Sequence, residues 1–395
     1  MSRFTDDPNQ AAKLYISTLQ AAPIPTRYKT KIPVHTEWEK LRLQESEVDN
    51  YFPNSPLNIS LIFGAASNGL ADIDLDCPEA VALASDFLPE TDLVFGRKSN
   101  GYASHRIYRV IGNHDFKTKQ FKDIDRSGGS KEKLKLMIVE LRGSEAQTVV
   151  PPSVHVEGEP IRYSMEGDPA SIDYQELKGA AGKLAAAVVL CRSWPQEGGR
   201  NDAALAVSGL LLANGCSVEF VEHFLTAVTE KAGDEESEAR VRTVAATQKK
   251  IDDGEPITGH QQLCDIIGKS AVKKILEFLG IKQVNGRSNL CAAQTRKAHE
   301  PIVDKINERY ALILVGGQAV ILKKNPPELG LNPWELISIS AFETYFRNRT
   351  VIVGTKQYTH AQLWLSHPNR NELKDILSVR LAARSQFTIF IMGLL

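Results

Sequence analysis

Carboxylates alternate with apolar residues in the stretch GLADIDLDCPEA at positions 69–80. This period of two predicts a short β-strand that ends before the Cys-Pro step. Side chains at i and i+2 leave a strand on one face, so Asp72, Asp74 and Asp76 would form a row spaced by about 7 Å. Neighbouring like charges need a cation, bulk water or a raised pKa. The stretch therefore indicates either a divalent-metal site or an edge strand in solvent.

A second group of polar residues lies between positions 97 and 110, where a turn with two cations precedes an alternating segment, His105 to Val110. The alternation predicts a strand. A lone histidine is more often structural than functional, but the neighbours of His105 in the sequence include hydroxyl and cationic side chains. Point charges, hydroxyl donors and an imidazole suit triphosphate oxygens. We therefore predict that residues of this segment bind a nucleotide together with an arginine from a later strand. The predicted nucleotide-binding residues are Lys98, Ser99, Ser104, His105 and Arg142.

A third acidic position is Glu140, in the apolar run 136–141, which predicts a buried strand. An unpaired buried charge is costly, so Glu140 needs a partner, either a metal ion or Arg142. Acidic side chains from two neighbouring strands suit Mg²⁺ or Mn²⁺, which prefer oxygen ligands. The implied chemistry is two-metal phosphoryl transfer, in which one ion activates the attacking oxygen and the other holds the triphosphate and the leaving pyrophosphate.

Basic residues concentrate between positions 97 and 135, where eleven Lys and Arg face four Asp and Glu, although the whole chain has a net charge of −1. The second half of this tract is loop-like around a Ser-Gly-Gly-Ser centre. It is either a solvated loop or a track for a phosphate backbone. On the second interpretation its DNA-binding candidates are Arg97, Arg106, Lys117, Lys119 and Lys122.

Length and composition set the class of protein. A chain of 395 residues predicts two or three domains. No apolar run reaches the roughly 18 residues of a membrane span, so we expect no membrane partner. The first residues lack an apolar signal core, which predicts a cytoplasmic protein. The five cysteines form no CxxC pair, which argues against a disulfide framework and a zinc ribbon.

The elements that must position these residues follow from periodicity and turn chemistry. We predict an α+β chain, with an extended Pro-rich segment after the first helix. Helices are predicted at 9–20, around Trp38 and Leu41, and at 78–87, 176–190, 202–213, 217–231, 235–252 and 334–346. A strand is predicted at 58–64, a hairpin at 309–324 and a further strand at 350–353.

The order of these motifs resembles the primase–polymerase domain of the archaeo-eukaryotic primase superfamily, over residues 10–175. The resemblance rests on IDLD, a Ser-His strand, an apolar strand with Glu and the tail QTVVPPSVH. It is strongest to the primase–polymerases of phages, prophages and plasmids. It implies a mixed sheet with an RRM-like module, and no zinc, because the Cys/His cluster of some relatives is missing. Asp74, Asp76 and Glu140 would be the catalytic metal ligands. Asp72 would support them from behind or face solvent.

The rest of the chain resembles later parts of primase–helicases. A Gly-x-Arg-Asn start at positions 198–201 is similar to that of a helical domain linked to primer initiation, so Arg200 becomes a DNA-binding candidate; the alternative is a structural linker. The expected domains are catalytic (1–178), helical (179–280) and helicase-associated (281–395). No GxxxxGK[ST] loop occurs. We therefore expect a reading frame truncated or shifted before a helicase motor, with a natural short C-terminal element as the alternative.

The predicted function is template-directed nucleotidyl transfer on single-stranded DNA by a two-metal mechanism. It would make primers, and extend them, from NTPs or dNTPs with Mg²⁺ or Mn²⁺. The setting would be replication of a mobile element such as a prophage, with a helicase supplied separately. Two alternatives stay open: a catalytically impaired DNA-binding adaptor and, ranked lower, a metal-dependent nuclease.

Overall fold

The alternating acidic stretch forms an inner strand of a large sheet. The computed structural model of the chain describes residues 5–53, 56–125, 136–281, 302–315, 318–326, 332–353, 356–366 and 370–373. The architecture is α+β, as predicted. The described residues divide into two compact units, the first within 1–212, 216–248 and 258–286, and the second within 213–215, 249–257 and 287–395.

Eleven named strands belong to the first unit. They are β1 (Ala22–Arg27), β2 (Leu57–Ile62), β3 (Leu70–Leu75), β4 (Leu93–Arg97), β5 (His105–Val110), β6 (Lys119–Lys122), β7 (Met137–Arg142), β8 (Gln147–Val150), β9 (Ser153–Val154), β10 (Pro160–Glu166) and β11 (Ala170–Ile172). The eight-stranded sheet has the order β6-β7-β3-β5-β4-β10-β9, with β11 parallel to β5, and a three-stranded sheet has the order β1-β2-β8. All six residues of β3 are buried between two neighbours, so the interpretation as a solvated edge strand is wrong.

The helices that lie wholly or mainly in the first unit are α1 (Pro8–Leu19), α2 (Val48–Tyr51), α3 (Pro78–Phe87), α4 (Tyr174–Ser193), α5 (Arg200–Ala213), α6 (Val218–Lys231), α7 (Ser237–Asp253), α8 (His260–Ile267) and α9 (Lys269–Phe278). Helix α3 begins at Pro78, a residue with a helix-compatible φ. The Asp173 side chain caps α4 by accepting from the backbone N–H groups of Gln175 and Glu176. The expected domain boundary at 178 lies inside α4.

Helix α4 explains how the two faces of the large sheet differ. Most of this helix is buried, and an added Cβ at Gly182 would lie 3.5 Å from the Phe121 ring on β6. Phe121 stands opposite Val139, and Val139 stands opposite Leu75. Residues directly opposite share a face, so these apolar side chains lie on the face that α4 covers. The carboxylates of β3, one position out of phase, project from the other face.

The second unit has its own core and a four-stranded sheet of Trp334–Ile337, Gln318–Lys324, Tyr310–Val315 and Glu372–Leu373, in that order. A hairpin pairs Thr350–Val353 with Lys356–Thr359, and helices cover 302–307, Ile339–Tyr345 and His360–Ser366. Its buried core includes Phe342 and Trp364. The predicted hairpin at 309–324 and the strand at 350–353 are confirmed. Among the helices described, none combines the length and apolar composition that a membrane span requires.

Three local predictions were wrong. The segment around Trp38 is a single 3-10 turn, Trp38–Lys40, instead of an α-helix. Residues Lys119–Lys122, expected in a loop, pair with β7 as an edge strand. Residues Trp334–Ile337, expected in a helix, pair with Gln318–Lys324. In the last two cases an available strand edge supplied backbone partners that local propensity does not register. The Ser-Gly-Gly-Ser centre of the basic tract lies outside the described residues.

Candidate active site

A cavity of about 600 Å³ opens on the carboxylate face of the large sheet. Its floor includes the end of β3, and its walls come from the β4–β5 turn, β8 and the segment after β9. Its charged and polar lining residues are Thr30, Lys31, Asp74, Asp76, Arg97, Ser99, Asn100, Ser104, His105, Arg142, Gln147, Thr148, His155 and Glu157. Acidic groups at the end of β3 thus share one space with hydroxyls, imidazoles and cations.

Strand register places the predicted catalytic residues side by side. On β3, Asp74 stands opposite His105 of β5 on one side and opposite Glu140 of β7 on the other. Two residues back, Asp72 stands opposite Arg142. All five side chains therefore leave the sheet on the same face. Three motifs that are 31 or more positions apart in the sequence become one row across three strands.

Asp72 is completely buried, with a side-chain exposure of 0%. Its carboxylate accepts hydrogen bonds from Thr148 Oγ1 at 2.7 Å and from His105 Nδ1 at 3.0 Å, and Arg142 Nη1 lies 3.4 Å away. Burial raises the pKa of Asp72, but the charge and hydrogen bond of His105, followed by Arg142 and Thr148, leave it below its ordinary value. The expectation that Asp72 faces solvent is wrong; it supports the site from behind.

His105 is held from two directions. Its ring stacks on Phe95, with centroids 4.8 Å apart and planes 15° from parallel. Its Nδ1 atom also lies 3.6 Å from Asp74. Burial lowers the pKa of His105, but the charges of Asp72 and Asp74 and the hydrogen bond to Asp72 raise it above its ordinary value. An imidazole fixed on the cavity wall is suited to donate a hydrogen bond to a phosphate oxygen.

Arg142 joins the three carboxylates of the row. Its Nε donates to Glu140 at 2.9 Å, Nη2 donates to Asp74, and Nη1 donates to Thr148 at 2.7 Å. The charges of Asp74, Asp72 and Glu140 raise the pKa of Arg142 although burial lowers it. The predicted ion pair between Glu140 and Arg142 is therefore present. The guanidinium partly compensates charges that would otherwise repel each other.

The contacts of Arg142 determine which carboxylates are available to bind a divalent cation. Asp74 and Asp76 line the cavity and offer hard oxygen donors, so they fit a Mg²⁺ or Mn²⁺ ion. Glu140 is engaged by Arg142 and accepts from Gln120 Nε2 at 2.6 Å. In the described part of the chain, no group of three or more His, Cys, Asp and Glu side chains is placed to hold a metal ion. Glu140 thus requires rearrangement of Arg142 before it can join the aspartates.

The turn between β4 and β5 carries the other predicted nucleotide contacts. Ser104 is buried and lines the cavity, and an added Cβ at Gly96 would lie 2.9 Å from its Oγ. Glycine at position 96 thus leaves room for the serine. Ser99 also lines the cavity, and its Oγ donates to Glu159 at 2.7 Å. Lys98 is exposed and lies outside the cavity lining.

The predicted DNA-binding residues are dispersed. Arg97 lines the cavity, where its Nη1 donates to His155 Nδ1 at 3.1 Å and to Glu157. Arg106 lies on the opposite face of the sheet, where its Nη2 donates to Ser85 of α3 at 3.2 Å. The three lysines form a separate group at the sheet edge: Lys117 precedes β6, and Lys119 and Lys122 lie on it.

Arg200 begins α5 and makes ion pairs within the helical region. Its Nη1 lies 2.6 Å from Glu235 and 3.6 Å from Asp234, and 14% of its side chain is exposed. Asp234 also accepts from Trp194 Nε1 at 3.1 Å and from Arg240 Nε at 3.2 Å. These contacts favour the structural interpretation of Arg200 over a DNA contact.

Sequence reasoning did not assign several polar cavity residues to the site, among them Lys31, Thr148 and His155. Thr148 and His155 lie in the motif QTVVPPSVH, whose polar positions were the available signal. The pKa of His155 is lowered by burial and by the charges of Arg97 and Lys31. Lys31 had no local signal, because one of the contacts that hold it comes from Gln147, 116 positions away, whose side chain donates to its backbone carbonyl at 2.9 Å.

Comparison with known families agrees with this geometry. Residues 12–177 match the family model of the bifunctional DNA primase/polymerase N-terminal domain. No curated protein matched the chain. The matched region covers both sheets of the first unit and the whole cavity. Residues 12–177 therefore belong to the bifunctional DNA primase/polymerase family, whose chemistry is nucleotidyl transfer in DNA replication.

Proposed function

We propose that this protein makes primers on single-stranded DNA by template-directed nucleotidyl transfer, and extends them. The observation that carries the proposal is the shared cavity of Asp74, Asp76 and His105 in a primase–polymerase domain. Its volume of about 600 Å³ is in the range of small-molecule sites, which suits a nucleoside triphosphate. NTPs and dNTPs are both candidate substrates.

Each group in the cavity has a proposed role. Asp74 and Asp76 would hold Mg²⁺ or Mn²⁺, with Glu140 as a third ligand after Arg142 releases it. Two such cations would activate the attacking hydroxyl and stabilise the leaving pyrophosphate. His105, oriented by Asp72 and Phe95, would bind a phosphate of the incoming nucleotide. Ser99, Ser104, Lys98 and Arg142 would contribute donors and positive charge around that phosphate chain.

The biological setting that we propose is replication of a mobile element such as a prophage, with a helicase supplied by another chain. It is supported by the likeness of IDLDCPEA and QTVVPPSVH to primase–polymerases of phages and plasmids. In this setting the lysines at the sheet edge, Lys117, Lys119 and Lys122, would contact the DNA backbone together with Arg97. Arg106 and Arg200 are weaker candidates because their side chains have protein partners.

A second candidate function is a DNA-binding replication adaptor without catalysis. The specific observation in its favour is that Arg142 donates to both Asp74 and Glu140. A guanidinium in this position competes with a cation for the same carboxylates. The adaptor and the enzyme therefore differ in whether metal and nucleotide displace Arg142.

One assay separates these functions. The protein is incubated with an unlabelled single-stranded template, labelled NTPs or dNTPs, and Mg²⁺ or Mn²⁺. We expect new labelled oligomers that depend on the template and the metal. A template shortened without synthesis would indicate a nuclease instead. Retained DNA binding with neither product would indicate the adaptor.

A further inference from the structure

A basic hairpin follows α1 and stands at the mouth of the cavity. This segment, the rim hairpin, comprises residues 25–34 (PTRYKTKIPV). Its ends pair through Arg27 N–H to the Ile32 carbonyl at 2.9 Å and Val34 N–H to the Pro25 carbonyl at 3.0 Å. Lys29, at φ 56°, occupies the tight turn between them. The rim hairpin is therefore a hydrogen-bonded structure.

Side chains of β2 and β8 hold the rim hairpin in place. Asn58 Nδ2 donates to the Thr30 carbonyl at 3.2 Å and to the Val154 carbonyl at 2.8 Å. Gln147 Nε2 donates to the Lys31 carbonyl at 2.9 Å. Thr30 and Lys31 line the cavity, whereas Arg27, Tyr28 and Lys29 lie outside its lining. One side of the hairpin thus belongs to the cavity and the other extends beyond it.

The outer part of the rim hairpin combines positive charge with an exposed aromatic ring. Arg27, Lys29 and Lys31 are exposed, and none of them forms an ion pair with another described residue. The sequence contains no Asp or Glu from position 23 to position 36. Tyr28 is 45% exposed and Ile32 is 55% exposed. The chain thus presents exposed cations, without ion-pair partners among the described residues, beside a partly exposed aromatic ring.

We infer that the rim hairpin binds the single-stranded DNA that enters the cavity, with Tyr28 stacking on a base and Arg27 and Lys29 contacting phosphates. An aromatic platform beside cations is the chemistry by which proteins hold single strands without reading their sequence. Charge complementarity favours this polyanion over an apolar protein partner. The inference rests on the proposed function, because it takes the bound strand to be the template or primer.

The test uses the full-length protein and fluorescent oligo-dT, with anisotropy read at several salt concentrations. Tyr28→Ala should weaken binding about fivefold or more, because base stacking contributes about 1–3 kcal/mol. Arg27→Gln with Lys29→Gln should lower the slope of log affinity against log salt by about 1.4, at roughly 0.7 for each single-strand phosphate contact. Both variants should bind a non-hydrolysable dNTP analogue like wild type in calorimetry, since the three residues lie outside the cavity lining.

Matched controls use the same chemistry elsewhere. Tyr345→Ala removes a tyrosine that is 58% exposed in the second unit, and Lys249→Gln with Lys250→Gln removes two exposed lysines of α7. These variants, together with Tyr28→Phe, should bind oligo-dT like wild type.

Unchanged oligo-dT affinity in the hairpin variants would overturn the inference, as would a loss confined to the dNTP analogue. If the hairpin variants make primers and bind oligo-dT as tightly as wild type, the inference about the hairpin is wrong but the proposed function stands. A wild-type protein that binds DNA through the hairpin but makes no product would overturn only the proposed enzyme.

Discussion

His105 Nδ1 lies 3.0 Å from Oδ2 of Asp72, a carboxylate that is wholly shielded from solvent. A hydrogen bond at Nδ1 orients the ring and leaves Nε2 as its other polar atom. Since Phe95 stacks on the ring, the imidazole has little rotational freedom. An aspartate with no place in the predicted metal site thus positions the histidine that we propose binds a phosphate of the nucleotide.

Asp72→Asn should lower the pKa of His105, because it removes the negative charge that most raises this pKa in the wild type. NMR titration of the metal-free protein measures the shift directly. We also expect the KM for nucleotide to rise about tenfold, the lower end of the effect of removing a carboxylate that orients a functional histidine. Thr148→Val, which leaves the Asp72–His105 contact in place, is the control and should shift the pKa less. An unchanged His105 pKa in Asp72→Asn would contradict the assigned role.

Asp74→Ala and Asp76→Ala should each reduce primer synthesis by about 10²-fold or more, because a bound cation supplies several kcal/mol of transition-state stabilisation. DNA binding should remain largely intact, since neither carboxylate attracts a polyanion. Labelled product on a gel and oligo-dT anisotropy measure the two effects. Asp86→Ala, on α3 outside the cavity lining, serves as the control. Wild-type synthesis rates in either site variant would refute the metal assignment.

Arg142→Gln should destabilise the metal-free protein by about 3–5 kcal/mol, because it leaves partly buried carboxylates without their cation. Mg²⁺ or Mn²⁺ should then raise the melting temperature of the variant more than that of wild type, since a cation can replace the lost charge. Differential scanning calorimetry with and without metal measures both effects.

The matched control for this prediction is Arg192→Gln. Arg192 also joins two carboxylates, Glu79 at 2.8 Å and Asp123 at 2.9 Å, but lies outside the cavity lining. Its loss should destabilise the protein without a metal-dependent recovery. An equal metal response in both variants would show that the cavity carboxylates have no special affinity for cations.

Glu79→Gln should have a pH-dependent effect on stability. Hydrogen bonds from Arg192 lower the pKa of Glu79 from 4.5 to about 2. A carboxylate with a lowered pKa stabilises the fold above its unfolded-state pKa, and this contribution is lost as pH falls through the folded-state pKa. The variant should therefore be about 1–2 kcal/mol less stable at pH 7, with the difference shrinking as the pH falls from about 5 to 2.

Urea unfolding at several pH values measures this difference. Glu277→Gln is the control, because Glu277 is 51% exposed and its pair with Lys274 contributes little. A stability difference for Glu79→Gln that stays constant down to pH 2 would contradict the assigned ion pair.

Partners that are distant in the sequence determine the surroundings of several residues that the sequence analysis singled out. The alternation of Asp72, Asp74 and Asp76 was sufficient to predict β3, but not its inner position, which depends on pairing with both β5 and β7. Arg106 was grouped with the DNA-binding cations by composition, yet the sheet turns it toward α3. Arg200 was selected by a short motif, yet Asp234 and Glu235 engage it from the α6–α7 junction.

The order of residues alone was enough to locate the acidic strand, the Ser-His strand and the Glu140 strand, because periodicity and turn chemistry act over a few residues. It also carried the family resemblance. Packing decided which side chains meet: Thr148 donates to Asp72 across 76 positions, and Gln147 holds Lys31 across 116. Such contacts depend on strand order and register, which a local pattern does not encode. The supporting role of Asp72, the bridging by Arg142 and the place of the rim hairpin therefore emerged only from the folded chain.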